Sequence, residues 1–171
     1  MQQALKVSLS VLNSYIQCPL KYKLSAVDKA APASRSGSGL SFYKSLTAAL
    51  EYFHKEGVKP LPTEEKILEL LNRNWEKKGY ADEAEERQHR RMAEGILRGF
   101  YRGFVRDKPN PAYIGVLLNV PSKTWSLSTR ADRVDLLPDG TFEVIKYKTG
   151  KNVMGPNELA RDLQAVLLFQ G

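Results

Sequence analysis

The sequence predicts a mixed α/β fold of α+β type, in which helices flank a small mixed sheet with an antiparallel three-strand meander. Residues 1–110 carry helical apolar periodicity between polar or glycine-rich breaks, so this part should be mainly helical. Residues 111–171 begin with segments rich in β-branched and aromatic residues and close with another helical pattern. The chain has 171 residues, which suits a single domain over 1–171 with a sizeable core.

Four helices are predicted before Pro111. The first has Ser10 as its N-cap, and Pro19 is expected to kink or end it. The second covers 41–57, and the third follows Thr63 as its cap and closes at Gly79. The inward-facing residues of the first helix are expected to be Leu12, Tyr15 and Ile16.

The fourth helix, over 82–107, carries three patterns. Its apolar stripe is predicted to consist of Met92, Ile96, Phe100 and Phe104. A parallel glycine row, which lowers helix propensity, would let another backbone or a ligand approach: Gly95, Gly99 and Gly103. Arginines along one side form either a track for phosphates or half of solvated pairs with glutamates four residues earlier. They are Arg87, Arg91, Arg98, Arg102 and Arg106.

Three strand segments follow, at 112–120, 124–137 and 141–149, with Pro138–Gly140 as a hairpin turn. The segment 155–170 then predicts one helix. Its buried stripe is expected to consist of Leu159, Leu163, Val166 and Leu167.

Composition restricts the class of protein. Twenty-six basic and nineteen acidic residues give a net charge of +7, which agrees with a nucleic-acid partner without establishing one. No apolar run is long enough for a bilayer and no secretory signal is visible, so a cytoplasmic protein without membrane contact is expected. The single cysteine, Cys18, excludes an internal disulfide and is expected to be buried. His54 and His89 are expected to be isolated surface residues.

The stretch "ADRVDLLPDGTFEVIKYKTGK" (131–151) raises the question of function. Strand side chains alternate between faces, so Asp132 should share one face of the hairpin with Lys146 and Lys148. Taken alone, these residues and Asp135 could form an exposed cross-strand charge ladder that contributes little to stability.

Four ordered blocks give the chain a resemblance to a known family. They are "LSVLNSYIQCPLKYKL", "LSFYKSLTAALEYFH", "RADRVDLLPDGTFEVIKYKTGK" and "DLQAVLLFQ". In this order they resemble the RecB-like exonuclease branch of the PD-(D/E)XK nuclease superfamily. The resemblance implies a restriction-endonuclease-like core, here expected to lack its last strand. The open sheet edge would then favour a homo-oligomer or a partner chain.

The resemblance also implies site residues. The family holds Mg²⁺ or Mn²⁺ with two acids and places a lysine two residues after the second acid, in order to hydrolyse DNA. In this chain Asp132 takes the place of the first acid and Lys148 that of the lysine, whereas Lys146 stands at the position of the second acid. Thr47 stands at the histidine position and Gln164 at the glutamine position. DNA is the implied partner. The nucleic-acid-binding candidates are Arg87, Arg91, Arg98, Arg102 and Lys151.

Lysine in place of a carboxylate changes the expected chemistry. Only Asp132 remains to hold a metal ion, and weakly, so the site looks converted to anion binding or to a structural role. An active enzyme would need a relocated carboxylate from Glu51, Glu158 or Asp162, and a non-catalytic protein-interaction module is the third alternative. Cys18 matches the first cluster cysteine of iron–sulfur relatives, but no cluster is expected because no other cysteine is present.

Overall fold

The computed structural model describes residues 5–30, 37–57, 60–150 and 154–168. Within these ranges seven helices and two three-stranded sheets confirm the mixed α/β class. The helices are α1 (Leu9–Gln17), α2 (Pro19–Tyr22), α3 (Ser38–Lys55), α4 (Glu64–Arg73), α5 (Glu83–Asp107), α6 (Pro156–Leu159) and α7 (Leu163–Leu168), with a π-helical turn at Lys23–Val27. The strands are β1 (Leu5–Ser8), β2 (Pro111–Ile114), β3 (Leu117–Pro121), β4 (Trp125–Arg130), β5 (Arg133–Leu136) and β6 (Phe142–Ile145). None of the described helices is both long and apolar enough to span a bilayer.

The chain divides into two compact units, each assembled from separate stretches. The first unit consists of Met1–Ser34, Gly115–Ala131 and Gly150–Gly171. The second consists of Arg35–Ile114 and Asp132–Thr149. The single domain expected over 1–171 stays a prediction.

The first unit is built on the sheet β1-β4-β3, in which β1 runs parallel to β4 and β3 runs antiparallel to it. Leu9 and Leu127 are buried in its core, with Leu12 and Leu163 packed against them. The predicted cap Ser10 is wrong. Residues 5–8 pair with β4, so α1 begins immediately after them, and Ser8 Oγ accepts the cap hydrogen bond from Val11 N–H at 3.4 Å.

Several predicted inward-facing residues of the first unit are exposed instead. Tyr15 and Ile16 are 52% and 63% exposed, because α1 contacts β4 only near its start. The single helix predicted over 155–170 is broken between α6 and α7, where Asp162 Oδ1 accepts a cap hydrogen bond from Ala165 N–H at 2.8 Å. Leu159 and Val166 are exposed as a consequence, while the side chain of Leu167 lies outside the described residues.

The second unit packs α3, α4 and α5 around a core that includes Phe42, Leu46, Phe53, Ile67, Leu70, Leu71 and Leu97. The predicted cap Thr63 is confirmed, since its hydroxyl accepts Lys66 N–H at 3.3 Å. The predicted end of this helix at Gly79 is wrong: α4 stops at Arg73. Beyond it Trp75 is buried in the core, and Glu76 N–H donates to Ser45 Oγ at 2.9 Å, which draws the chain out of the helix.

The apolar stripe of α5 is rotated by one residue from the prediction. Ala93 and Leu97 are fully buried, whereas Met92 and Ile96 are each 48% exposed. Small Ala93 is no obstacle to close packing against α3 and α4, so the buried face runs through it to Phe104. The predicted positions Met92 and Ile96 are therefore wrong.

The first two predicted strand segments are each interrupted. Gly115, with φ +64, separates β2 from β3, and Ala131 with Asp132 separates β4 from β5. The three segments therefore become five strands shared between two sheets, with β1 as a sixth. In the second unit β2, β5 and β6 form an antiparallel sheet in the order β2-β5-β6.

The rotated stripe of α5 is testable with two truncations on the same helix. Leu97→Ala should lower the free energy of unfolding by about 2–5 kcal/mol, because it empties a fully buried position. Met92→Ala should change it by less than about 0.5 kcal/mol, because this side chain is half exposed. Urea denaturation of both variants decides the matter, and equal losses would contradict the burial pattern.

Candidate functional site

The hairpin β5–β6 positions the candidate site. Arg133 pairs with Ile145 and Asp135 with Glu143, and Asp132 N–H extends the ladder by donating to Ile145 O at 3.0 Å. Because side chains alternate, Asp132 lies on the face that is opposite to Arg133, Asp135 and Glu143.

Asp132 and Lys146 meet directly. Lys146 Nζ donates to Asp132 Oδ1 at 2.6 Å and lies 3.3 Å from the Tyr43 hydroxyl on α3. Asp132 Oδ2 accepts Tyr147 N–H at 2.8 Å. The Lys146 and Asp132 side chains are only 16% and 12% exposed. Both oxygens of this carboxylate therefore already accept hydrogen bonds in a sheltered position.

Thr47 turns its hydroxyl toward its own helix. Thr47 Oγ1 lies 2.9 Å from Tyr43 O and 3.3 Å from Lys44 O. A hydroxyl has one proton to donate, and here a backbone carbonyl of the preceding turn accepts it. Thr47, which the resemblance places at the histidine position, therefore directs its hydroxyl proton to its own helix.

The remaining predicted site residues lie in different parts of the chain. Lys148 is exposed, two residues after Lys146, and makes an interaction within the chain. Gln164 lies on α7 in the first unit, where it is half-buried and also has a partner. Lys151 lies outside the described residues. The catalytic and binding roles assigned to these residues stay predictions.

The three carboxylates considered as replacements for the second acid all have local partners. Glu51 Oε1 accepts from Lys55 Nζ at 2.6 Å, one turn along α3. Glu158 Oε2 accepts Gly155 N–H at 2.9 Å, and Asp162 caps α7. None of these contacts involves Asp132.

Within the described residues, some arginines of the α5 row are in ion pairs, and others are free for the predicted contact with phosphates. Arg87 pairs with Glu83 at 3.0 Å, as the four-residue spacing predicts. Arg98 instead pairs with Glu64 at the start of α4. Arg91 and Arg102 are exposed and have no ion pair or hydrogen bond within the described part of the chain. Arg106 pairs with Asp107 at 2.7 Å, so two of the five arginines of the row are available to an anionic partner.

The glycine row of α5 faces open space. A Cβ added at Gly95, Gly99 or Gly103 would meet no atom within 4 Å, so no described backbone approaches there. Gly99 and Gly103 instead line an open cavity of about 780 Å³, whose walls include Phe104 and Arg133.

His54 is buried, which contradicts the surface position expected for it. It is 5% exposed, and its Nε2 lies 3.0 Å from the Tyr147 hydroxyl. The rings of Phe53, Phe100 and Phe104 surround it at centroid distances of 5.5, 5.7 and 5.2 Å. Burial, aided by the charge of Arg133, lowers the pKa of His54 to about 3, so the imidazole is neutral. The helical spacing of Tyr43, Thr47, Leu50 and His54 was the available signal for this inward position.

His89 and Cys18 also differ from expectation. His89 is half-buried on α5, with Nδ1 2.9 Å from Glu85 O and its ring against Phe42. Cys18 is exposed rather than buried, because its sulfur caps the short helix α2 and accepts Lys21 N–H at 3.4 Å.

A buried ion pair lies on the far face of the hairpin. Arg133 Nη2 donates a hydrogen bond to Asp135 Oδ2 at 2.9 Å. Arg133 Nε also lies 2.9 Å from Asp135 Oδ1, but the angle of this ion-pair contact is not that of a hydrogen bond. Arg133 also lies over the ring of Phe104 and 3.4 Å from the Tyr147 hydroxyl. Burial raises the pKa of Asp135, although Arg133 opposes it, and burial raises the pKa of Tyr147 to about 12. The expected exposed charge ladder is wrong for Asp135, which is 2% exposed.

The donor set at Asp132 does not fit the divalent ion of the family. Mg²⁺ and Mn²⁺ require several oxygen ligands, whereas the nearest charged group to this carboxylate is the Lys146 ammonium. Within the described ranges no three His, Cys, Asp or Glu side chains are grouped to hold a metal ion.

Comparison with protein families identifies the superfamily of the chain. The family model of the PD-(D/E)XK nuclease superfamily matches residues 6–168. The chain belongs to the PD-(D/E)XK nuclease superfamily. A search of the curated proteins found no significant match. The matched range includes both Asp132 and Lys146.

The buried His54 predicts a specific pH dependence. Its pKa in the folded chain lies below the unfolded value near 6.5, so the unfolded chain binds more protons and stability falls as the pH falls from about 6.5 toward 3. Each unit by which the pH falls within that window should lower the free energy of unfolding by up to about 1.4 kcal/mol. Urea denaturation at about pH 7 and about pH 5 should show a loss in the wild type that is about 2 kcal/mol larger than in His54→Gln. Equal losses would show that His54 is not buried as a neutral group.

Proposed function

We propose that this chain is a RecB-like member of the PD-(D/E)XK nuclease superfamily that lacks metal-dependent DNA cleavage and binds DNA through its phosphates. The order of the four sequence blocks supports the branch within the superfamily that the family model matches. The contact between Lys146 and Asp132 supports the loss of cleavage. The net charge of +7 and the exposed Arg91 and Arg102 support a polyanionic partner.

Electrostatics at Asp132 carry the argument against a bound divalent ion. Two like unit charges about 4 Å apart repel each other by about 4 kcal/mol at an effective dielectric constant near 20. The repulsion between a divalent ion and the Lys146 ammonium at that distance would therefore be about 8 kcal/mol. A metal ion would also have to displace hydrogen bonds on both carboxylate oxygens. Leaving either member of a sheltered ion pair without its partner is costly.

The same geometry suits an anion. Lys146 carries three N–H donors, of which Asp132 accepts one and the Tyr43 hydroxyl lies within reach of a second. The third can donate to a phosphate oxygen. Exposed Lys148, two residues further along, adds a positive charge to the same segment. Asp132 then keeps the Lys146 stem in position rather than holding a metal ion.

Calorimetric titration of Mn²⁺ tests the proposal through the Lys146→Glu substitution. The wild type should show no binding above the heat of dilution. Lys146→Glu restores a carboxylate at the second acid position and should raise the Mn²⁺ affinity by at least about tenfold, since it removes a repulsion worth several kcal/mol. Lys123→Glu makes the same charge change at an exposed loop position and should behave like the wild type.

A cleavage assay provides the outcome that would overturn the proposal. Labelled single-stranded and duplex DNA should remain intact in Mg²⁺ and in Mn²⁺. Metal-dependent cleavage that disappears in Asp132→Ala would instead establish an active enzyme with a relocated carboxylate. Cleavage that persists in Asp132→Ala would indicate a contaminating nuclease.

A further inference from the structure

Two exposed aromatic rings lie side by side on the face of the sheet β2-β5-β6 that also carries the buried Val134. Strand register pairs Tyr113 with Val134 and Phe142 with Leu136, so both rings lie on one face. Their centroids are 6.2 Å apart with an interplanar angle of 48°. Each residue is 56% exposed.

This exposure distinguishes the pair from the other ring contacts of the chain. Among the ring pairs of the described residues, it is the one in which both members are exposed. Leu136, opposite Phe142 on β5, is 38% exposed, so the rings belong to a larger apolar surface. A contiguous exposed apolar patch on a soluble domain commonly marks a contact surface.

The two rings lie on the same face of the sheet as Asp132 and Lys146. Alternation along β6 puts Phe142, Val144 and Lys146 on one side of the sheet, with Asp132 opposite Lys146. Lys146 directly follows β6 and lies four residue steps from Phe142, which corresponds to about 13 Å of extended chain. This face thus carries exposed aromatic rings at one end and, beyond the buried Val134, the ammonium group of the 16% exposed Lys146 side chain at the other.

We propose that this face binds single-stranded DNA, with unpaired bases stacked on Tyr113 and Phe142 and the adjoining phosphates directed toward Lys146. The inference rests on the proposed function, because it names the form of DNA that the converted site takes. Bases in a duplex are stacked on each other and cannot reach the rings, whereas every unpaired base offers a π-face. The Lys146 ammonium on this face and the net charge of +7 of the chain favour a polyanion as the occupant.

The test measures fluorescence anisotropy of a labelled short oligothymidylate and of a duplex of equal length, with the full chain. Tyr113→Leu and Phe142→Leu retain an apolar side chain but remove the ring, and each should weaken single-strand binding by about tenfold. Phe142→Tyr keeps a ring and should bind within about twofold of the wild type. Tyr52→Leu is the matched control, because Tyr52 is 41% exposed on α3 and belongs to a different surface. Circular dichroism establishes that each variant folds.

The outcomes separate this inference from the proposed function. If the leucine variants bind like the wild type, or if the duplex binds as tightly as the single strand, the stacking surface is wrong while phosphate binding stands. If no DNA binds, both the stacking surface and phosphate binding are wrong, and the Mn²⁺ titration still decides the metal question. Light scattering then shows whether Phe142→Leu changes the mass of an oligomer, which would make a second copy the occupant of the edge strand β6.

Discussion

The contact between Lys146 Nζ and Asp132 Oδ1, at 2.6 Å, determines what the hairpin can do. A carboxylate that would otherwise attract a divalent ion is neutralised by an ammonium group held on the facing strand, and its second oxygen accepts the N–H of Tyr147. Removing either charge would leave the other sheltered from water without a partner, which is far costlier than the net value of the pair. The Lys146 ammonium therefore occupies the place beside Asp132 where a metal ion would bind, and the cost of separating the pair keeps it there.

Contacts on the far face of the same hairpin hold Tyr147, which follows β6, in one position. Tyr147 lies between His54 on α3 and Arg133 on β5, and Arg133 in turn pairs with the buried Asp135. These groups lie against the rings of Phe100 and Phe104 on α5. Because buried polar groups are costly without partners, this network favours one position of the Tyr147 side chain. The backbone N–H of Tyr147 is thereby kept next to Asp132.

The proposed loss of a metal site is compatible with retention of the fold, because the two depend on different residues. The core of the second unit is formed by apolar side chains of α3, α4 and α5, and neither Asp132 nor Lys146 belongs to it. The superfamily match over residues 6–168 therefore records the scaffold. Chemistry depends on a few polar positions, and in the proposed function a lysine at the place of an acid reverses the sign of the charge there.

The sequence by itself determined the fold class, the cap of α4, the hairpin and the common face of Asp132 and Lys146, because apolar periodicity, cap chemistry and strand alternation are local properties. Tertiary structure decided which side of α5 is buried, where Gly115 and Ala131 divide the strands, and that His54 and Asp135 lie inside. Those outcomes depend on how distant elements pack: Ala93 rather than Met92 meets the core, and Arg133 supplies the charge that lets Asp135 be buried. Local patterns carry no information about such distant partners.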